Sequence, residues 1–131
     1  MIARRRARLD KLSEELGQRA IAIQSDVTNL DDLRSDIERA ATTMGGLDAI
    51  VTVAGRGMVG TVSTGDPQAW RELLDLNLVG PLATVRYGVQ HFATEGRRDV
   101  IFVGSVGAIS HGDVAPGTGN QGPVKESACS S

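Results

Sequence analysis

Several kinds of chemistry are missing from this sequence, and each absence closes off a class of function. There is a single cysteine, Cys129, so no internal disulfide can form and a reducing, cytoplasmic compartment is the expectation. Cys129 has neither a helix N-terminus nor a histidine to activate it as a nucleophile. Only two histidines, His91 and His111, are available, too few and too poorly accompanied for a metal site. No apolar run approaches the roughly twenty residues that a membrane-crossing helix needs. A net charge of −2 supplies no electrostatic reason to expect nucleic acid or a membrane surface as a partner. The opening MIARRRARL does gather Arg4, Arg5, Arg6 and Arg8, but no apolar stretch follows that would make it a secretory signal. Asp10, Glu14 and Glu15 come directly after, so the segment reads as a mixed-charge helix and not as a nucleic-acid arm. Internal repeats and low-complexity linkers are also missing.

What remains has the composition of one globular domain. The 131 residues suffice for one core, with 40% hydrophobic and 23% charged residues, and the 16 glycines suit a loop-rich α/β chain. Leu9, Leu12 and Leu16 at helical spacing, closed by Gly17, predict a helix over 7–16. Ala20–Gln24 is a short strand. Thr28 or Asn29 can cap the next helix, whose apolar face is Leu30, Leu33, Ile37, Ala40 or Ala41, and Met44, and Gly45-Gly46 ends it. Leu47–Val53 is the second complete strand and residues 54–65 a glycine-studded loop. Asp66-Pro67 starts a long helix that carries Trp70, Leu73, Leu74, Leu78, Leu82, Val85, Val89 and Phe92 on roughly one face, with a kink or restart at Gly80-Pro81. Tyr87, the only tyrosine, falls off that stripe and reads as a surface or dimer-contact residue. Strands alternating with helices imply a parallel sheet with helical crossovers.

The last strand is the most informative. Val100–Val103 is an unbroken apolar run between Asp99 and Gly104, the pattern of a strand buried on both faces. It delivers Ser105 to the carboxyl edge of the sheet, where open α/β sheets bind their ligands. A strand ending in Gly104-Ser105, then Pro116-Gly117, then Asn120 and Lys125 resembles the short-chain dehydrogenase/reductase family.

That resemblance implies a Rossmann-like fold and an NAD(P)-dependent oxidoreductase that interconverts a carbonyl and an alcohol. The family's catalytic Ser and Lys match Ser105 and Lys125, and its relay Asn matches Asn77 in LDLNLVG. Asn77 follows Leu73 and Leu74 on what reads as the apolar side of its helix, where a buried amide needs partners. The family's Tyr, four residues before the Lys, is replaced by Gln121, whose amide does not titrate usefully. For the cofactor, the resemblance implies Arg4 and Arg5 at a ribose 2′-phosphate, hence NADP(H) over NAD(H), through paired charge-assisted hydrogen bonds; the same arginines could equally be an exposed helix start. It implies Asp26, beside Val27, at the adenine amino group; the same Asp could instead form a helix-capping turn. Ala54-Gly55 keeps the backbone open to a ligand, and Lys125 would also hold the nicotinamide ribose.

Measured against the family, the chain reads as an incomplete dinucleotide-binding domain over residues 1–131. The first strand with its Gly-rich turn and the later strands are not in it. Gly55, Gly57 and Gly60 spell GxGxxG, but no helix start follows them. Loss of the first strand is expected to leave Ala20–Gln24 and Leu47–Val53 without a common neighbour, exposing apolar sheet edges. Residues 126–131 read as a disordered tail. A second reading is a catalytically inactive interaction module, with homo-oligomers formed through the helix over 67–94.

Overall fold

The computed structural model describes residues 1–104 apart from Val59. Strands and helices alternate along it: β1 (Ile2–Ala3), α1 (Arg6–Leu16), β2 (Ile23–Gln24), α2 (Leu30–Met44), β3 (Ala49–Thr52), α3 (Pro67–Leu74), α4 (Gly80–Gly88) and β4 (Asp99–Phe102). A π-turn, Asp75–Val79, joins α3 to α4. β1 pairs with β2 and β3 with β4, both in parallel, as two separate two-stranded sheets. Helical crossovers make parallel pairing possible, and the architecture is the Rossmann-like α/β alternation expected from the sequence.

Local chemistry sets the boundaries. Asn29 is the α2 cap: its Oδ1 accepts from the Asp32 N–H at 3.4 Å and its Nδ2 donates to the Asp32 carboxylate at 2.6 Å. Gly45, at φ 76°, closes that helix in the left-handed conformation that glycine adopts without strain. Asp66 accepts from the Gln68 N–H at 2.9 Å ahead of Pro67, which needs no donor in the first turn. The predicted strands shorten to their paired residues, Ile23–Gln24 and Ala49–Thr52.

The core lies between α2 and α4. Leu33, Ile37 and Ala83 are buried together, with Ile2, Val27, Leu30 and Tyr87 packed around them. Tyr87, expected at the surface, therefore belongs to the core margin. On α2 the predicted face holds for Leu33, Ile37 and Ala41, while Met44 is exposed. On α1 only Leu9 is buried, and Leu12 and Leu16 are open.

The long helix keeps only part of the predicted face: Trp70, Leu73, Val85 and Phe92 are half-buried, but the fully buried positions lie elsewhere. Leu76, Gly80, Pro81, Ala83 and Gly88 are buried, whereas Leu74, Leu78, Leu82 and Val89 are exposed. Two physical causes combine. The π-turn inserts a wider turn that shifts the phase of the stripe. Close approach, not side-chain bulk, then selects the packed face. A Cβ on Gly80 would stand 2.8 Å from Val27 Cγ2 and 3.0 Å from the Val27 carbonyl; one on Gly88 would stand 2.6 Å from Ile50 Cδ1.

Two further expectations are corrected. β4 is not buried on both faces: Ile101 and Phe102 are 47% and 53% exposed, and among the described residues β4 pairs with β3 alone. The strand facing β3 across the gap between the sheets is also not Ile23–Gln24. β1 lies inside it, and Met1–Arg5 shares a cleft with Val51–Gly55.

Candidate functional site

The cleft between the two sheets, about 900 Å³ in volume, runs along β1 and β3 to their carboxyl ends. All six residues expected at a dinucleotide within the described chain line it: Arg4, Arg5, Asp26, Val27, Ala54 and Gly55. They are brought there because the strands they follow, β1, β2 and β3, all end at the same side. Ser105, Gln121 and Lys125 lie outside the described residues, as do His111, Cys129 and residues 126–131.

Asp26 is the centre of the cleft's polar end. Its Oδ1 accepts from the Thr28 N–H at 3.0 Å and from Thr28 Oγ1 at 2.8 Å, and its Oδ2 stands 3.6 Å from Arg4 Nη1. This is the turn that sequence reasoning held as the alternative for Asp26. It leaves the carboxylate at the cleft wall, so turn and ligand roles are compatible. Burial pushes the Asp26 pKa up, but the Thr28 hydrogen bonds and the Arg4 charge outweigh it, and the net direction is below the ordinary 3.8. Gln24 Nε2 donates to the Arg4 carbonyl at 3.1 Å, tying the Arg4 backbone to β2.

Asn77 is not a buried core amide. It is exposed within the π-turn, yet both ends of its side chain are engaged: Oδ1 accepts from the Arg56 N–H and Nδ2 donates to the Arg56 carbonyl, each at 2.9 Å. It thus clamps the loop after β3 directly behind Gly55. A Cβ on Gly55 would approach Asn77 Oδ1 at 3.3 Å, so glycine suits this junction. Arg56 Nη2 also stands 3.7 Å from Glu72 Oε2 on α3.

Sequence reasoning missed Ser25. Its residue is 8% exposed, it lines the cleft, and its hydroxyl is buried with no hydrogen-bond partner among the described residues. A buried hydroxyl without a partner is costly unless something fills the space beside it. The only sequence signal is position, directly after β2 and before Asp26. A group offering guanidinium-paired phosphates and hydrogen-bonding edges fits this wall: two arginines, an aspartate held as carboxylate, an orphan hydroxyl and open backbone at Ala54-Gly55. Among the described residues no cluster of His, Cys, Asp and Glu could hold a metal ion, and no helix is long and apolar enough to cross a membrane.

Parallel strands with helical crossovers and a cleft whose polar end lies at their carboxyl ends define a Rossmann-like α/β fold. The sequence model of the short chain dehydrogenase family matches residues 1–116, and the chain belongs to that family. Among curated relatives, (−)-trans-carveol dehydrogenase of Rhodococcus erythropolis is 35% identical over 96 residues, covering 72% of this chain and 35% of its own. A 3-alpha-(or 20-beta)-hydroxysteroid dehydrogenase of Mycobacterium tuberculosis is 28% identical over 99 residues, covering 76% of this chain and 38% of its own. A short-chain dehydrogenase structure from Streptomyces avermitilis superposes with a TM-score of 0.76 at 28% identity, over 84% of this chain and 40% of that one. The chain spans little more than a third of the length of these curated relatives.

Proposed function

We propose that the cleft holds a nicotinamide dinucleotide, NADP(H) in preference to NAD(H), for an oxidoreductase acting on a small-molecule carbonyl or alcohol. The observation that carries this is the convergence of Arg4, Arg5, Asp26, Val27, Ala54 and Gly55 on one cleft at the strand ends. When bound, the dinucleotide supplies the hydride chemistry. The chain's own part is to hold and orient it. Arg4 and Arg5 suit a 2′-phosphate, since guanidinium pairs with phosphate through two charged hydrogen bonds. Asp26, kept ionised by Thr28 and Arg4, suits an exocyclic amino group as acceptor. Asn77 fixes the loop on which Gly55 sits.

Ser105 is assigned to the substrate carbonyl and Lys125 to the nicotinamide ribose, with Asn77 in the proton relay. Gln121, in the position of the family's acid, cannot donate a proton at neutral pH. The chain is accordingly proposed to bind cofactor without turning over substrate. Fluorescence titration of the purified chain tests this. NADPH should saturate with an affinity at least about tenfold tighter than NADH, the Arg4→Ala/Arg5→Ala double variant should erase the difference, and no saturable binding of either would contradict the proposal.

A second reading is favoured by one observation. Leu74, Leu78 and Leu82 form an exposed row four residues apart on the α3–α4 unit, as a helix-mediated interaction module requires. Sedimentation should then show a concentration-dependent dimer that Leu78→Glu disrupts, and a monomer at every concentration would exclude it.

A further inference from the structure

We propose that Arg56 is a further cofactor-binding residue: its guanidinium, paired with Glu72 in the free chain, turns to donate to ring nitrogen N7 of the adenine. This rests on the nucleotide assignment above, in which Asp26 takes the adenine amino group.

A second hollow, about 370 Å³ in volume, opens beside the cleft and is lined by Arg4, Thr28, Arg56, Glu72, Asp75 and Leu76. Arg4 and Leu76 also line the cleft, so the two spaces adjoin along these residues. Arg56 stands at the junction, directly after Gly55. Its backbone is fixed. Asn77 grips the Arg56 N–H and carbonyl at 2.9 Å each, contacts that any non-proline residue at this position would keep. The side chain is held more loosely: Nη2 stands 3.7 Å from Glu72 Oε2, beyond hydrogen-bond reach, and both side chains are at least half exposed. An exposed pair of this kind contributes little to stability. The residue is anchored at its root and available at its tip.

Charge decides which part of a dinucleotide Arg56 meets. The lining of the hollow carries two arginines and two acidic residues, and Arg4 already faces Asp26 at 3.6 Å. A wall so balanced gives a phosphate no net attraction, and Glu72 and Asp75 oppose it. An uncharged base meets no such penalty. Adenine presents the acceptor N7 beside the donor N6 on one edge, so a base with its amine at Asp26 calls for a donor next to that carboxylate. Thr28 is spent, because its N–H and Oγ1 both go to Asp26. Arg4 is committed to Asp26 and to the 2′-phosphate side of the site. Arg56 is the donor left in the lining. Exchanging a loose pair with Glu72 for a hydrogen bond from a charged donor is favourable, and Glu72 becomes a competitor that weakens nucleotide binding.

The test titrates the full, isotopically labelled chain with ADP and with 7-deaza-ADP, in which a C–H replaces N7 and the amino group is kept. ADP should bind at least about fivefold tighter than its 7-deaza analogue. Arg56→Met should lower ADP affinity by about the same factor, leave the analogue unchanged and so remove the preference. Its amide spectrum should match the parent's, since the Asn77 clamp holds backbone only. Glu72→Gln should tighten ADP at least about twofold by removing the competitor. Equal binding of the two ligands to the parent would overturn the proposal. So would a preference that survives in Arg56→Met, an equal loss of both ligands, which would put Arg56 on the phosphates, or unchanged or weaker ADP binding by Glu72→Gln. ADP that fails to bind at all would overturn the nucleotide assignment and this role together, whereas ADP that binds with no preference over its analogue overturns the Arg56 role alone.

Discussion

Asp26 joins two jobs in one carboxylate, closing the turn before α2 and facing Arg4 across the cleft wall. Its folded-state pKa lies below the ordinary 3.8, so its contribution to stability is fully present above that value and is lost as pH falls through the folded pKa. Asp26→Asn keeps an acceptor for Thr28 and removes the charge. The variant should unfold at lower urea than the parent at pH 7, with the gap closing on acidification below pH 3.8; a gap that persists in acid would show that the turn, not the charge, is responsible. With the pair on the surface, the effect is small. Glycine contrasts at the same scale. Gly80→Ala meets the Val27 backbone and should cost about 1–3 kcal/mol, because backbone cannot step aside. Gly88→Ala meets side-chain atoms of Ile50 and no backbone, and about 1 kcal/mol of helix propensity offsets part of the repacking, so it should lower the unfolding midpoint less than Gly80→Ala does.

Among the elements, the π-turn at Asp75–Val79 explains most. It displays Asn77 toward Arg56, where an uninterrupted α-helix would carry the residue around with its neighbours. Asn77→Ala should cost about 1 kcal/mol and speed amide exchange at Arg56, with α2 and β3 unaffected; unchanged exchange at Arg56 would mean the clamp is not what holds the loop. The helices were legible from the sequence because Asn29, Gly45 and Asp66-Pro67 are cap chemistry, which acts within a few residues. The buried face of the long helix was not, because a count of large apolar residues overlooks Gly80, Ala83 and Gly88, whose value is close approach. The two-faced burial predicted for Val100–Val103 failed for a related reason: an apolar run reports a preference for burial and not which layers cover it, and among the described residues β4 has β3 alone as its strand neighbour. The six residues expected at a dinucleotide line one cleft because strand ends follow from topology; Ser25 escaped notice because partnerlessness is a property of packing.

At the scale of the whole molecule, two small parallel sheets are held in one frame by the α2–α4 contact around Leu33, Ile37 and Ala83. That frame keeps β1 and β3 facing each other with their carboxyl ends on one side, which is what gathers arginines, aspartate and glycine into a single cleft. It also leaves Val51, Val53, Ile101, Phe102 and Val103 open, a surface prone to sheet-edge association. Substituting Leu33, fully buried at the centre, by Ala should cost about 2–5 kcal/mol and open the cleft along with the core, reducing nucleotide affinity in step with stability. The most direct test of the central claim is to record the amide spectrum of the labelled chain during titration with NADPH. The account predicts saturable shifts concentrated at Arg4, Arg5, the Asp26–Thr28 turn and Ala54–Gly55, with α1 and the exposed face of α3–α4 unmoved. Shifts confined to those outer faces, or no shifts at saturating NADPH, would contradict it.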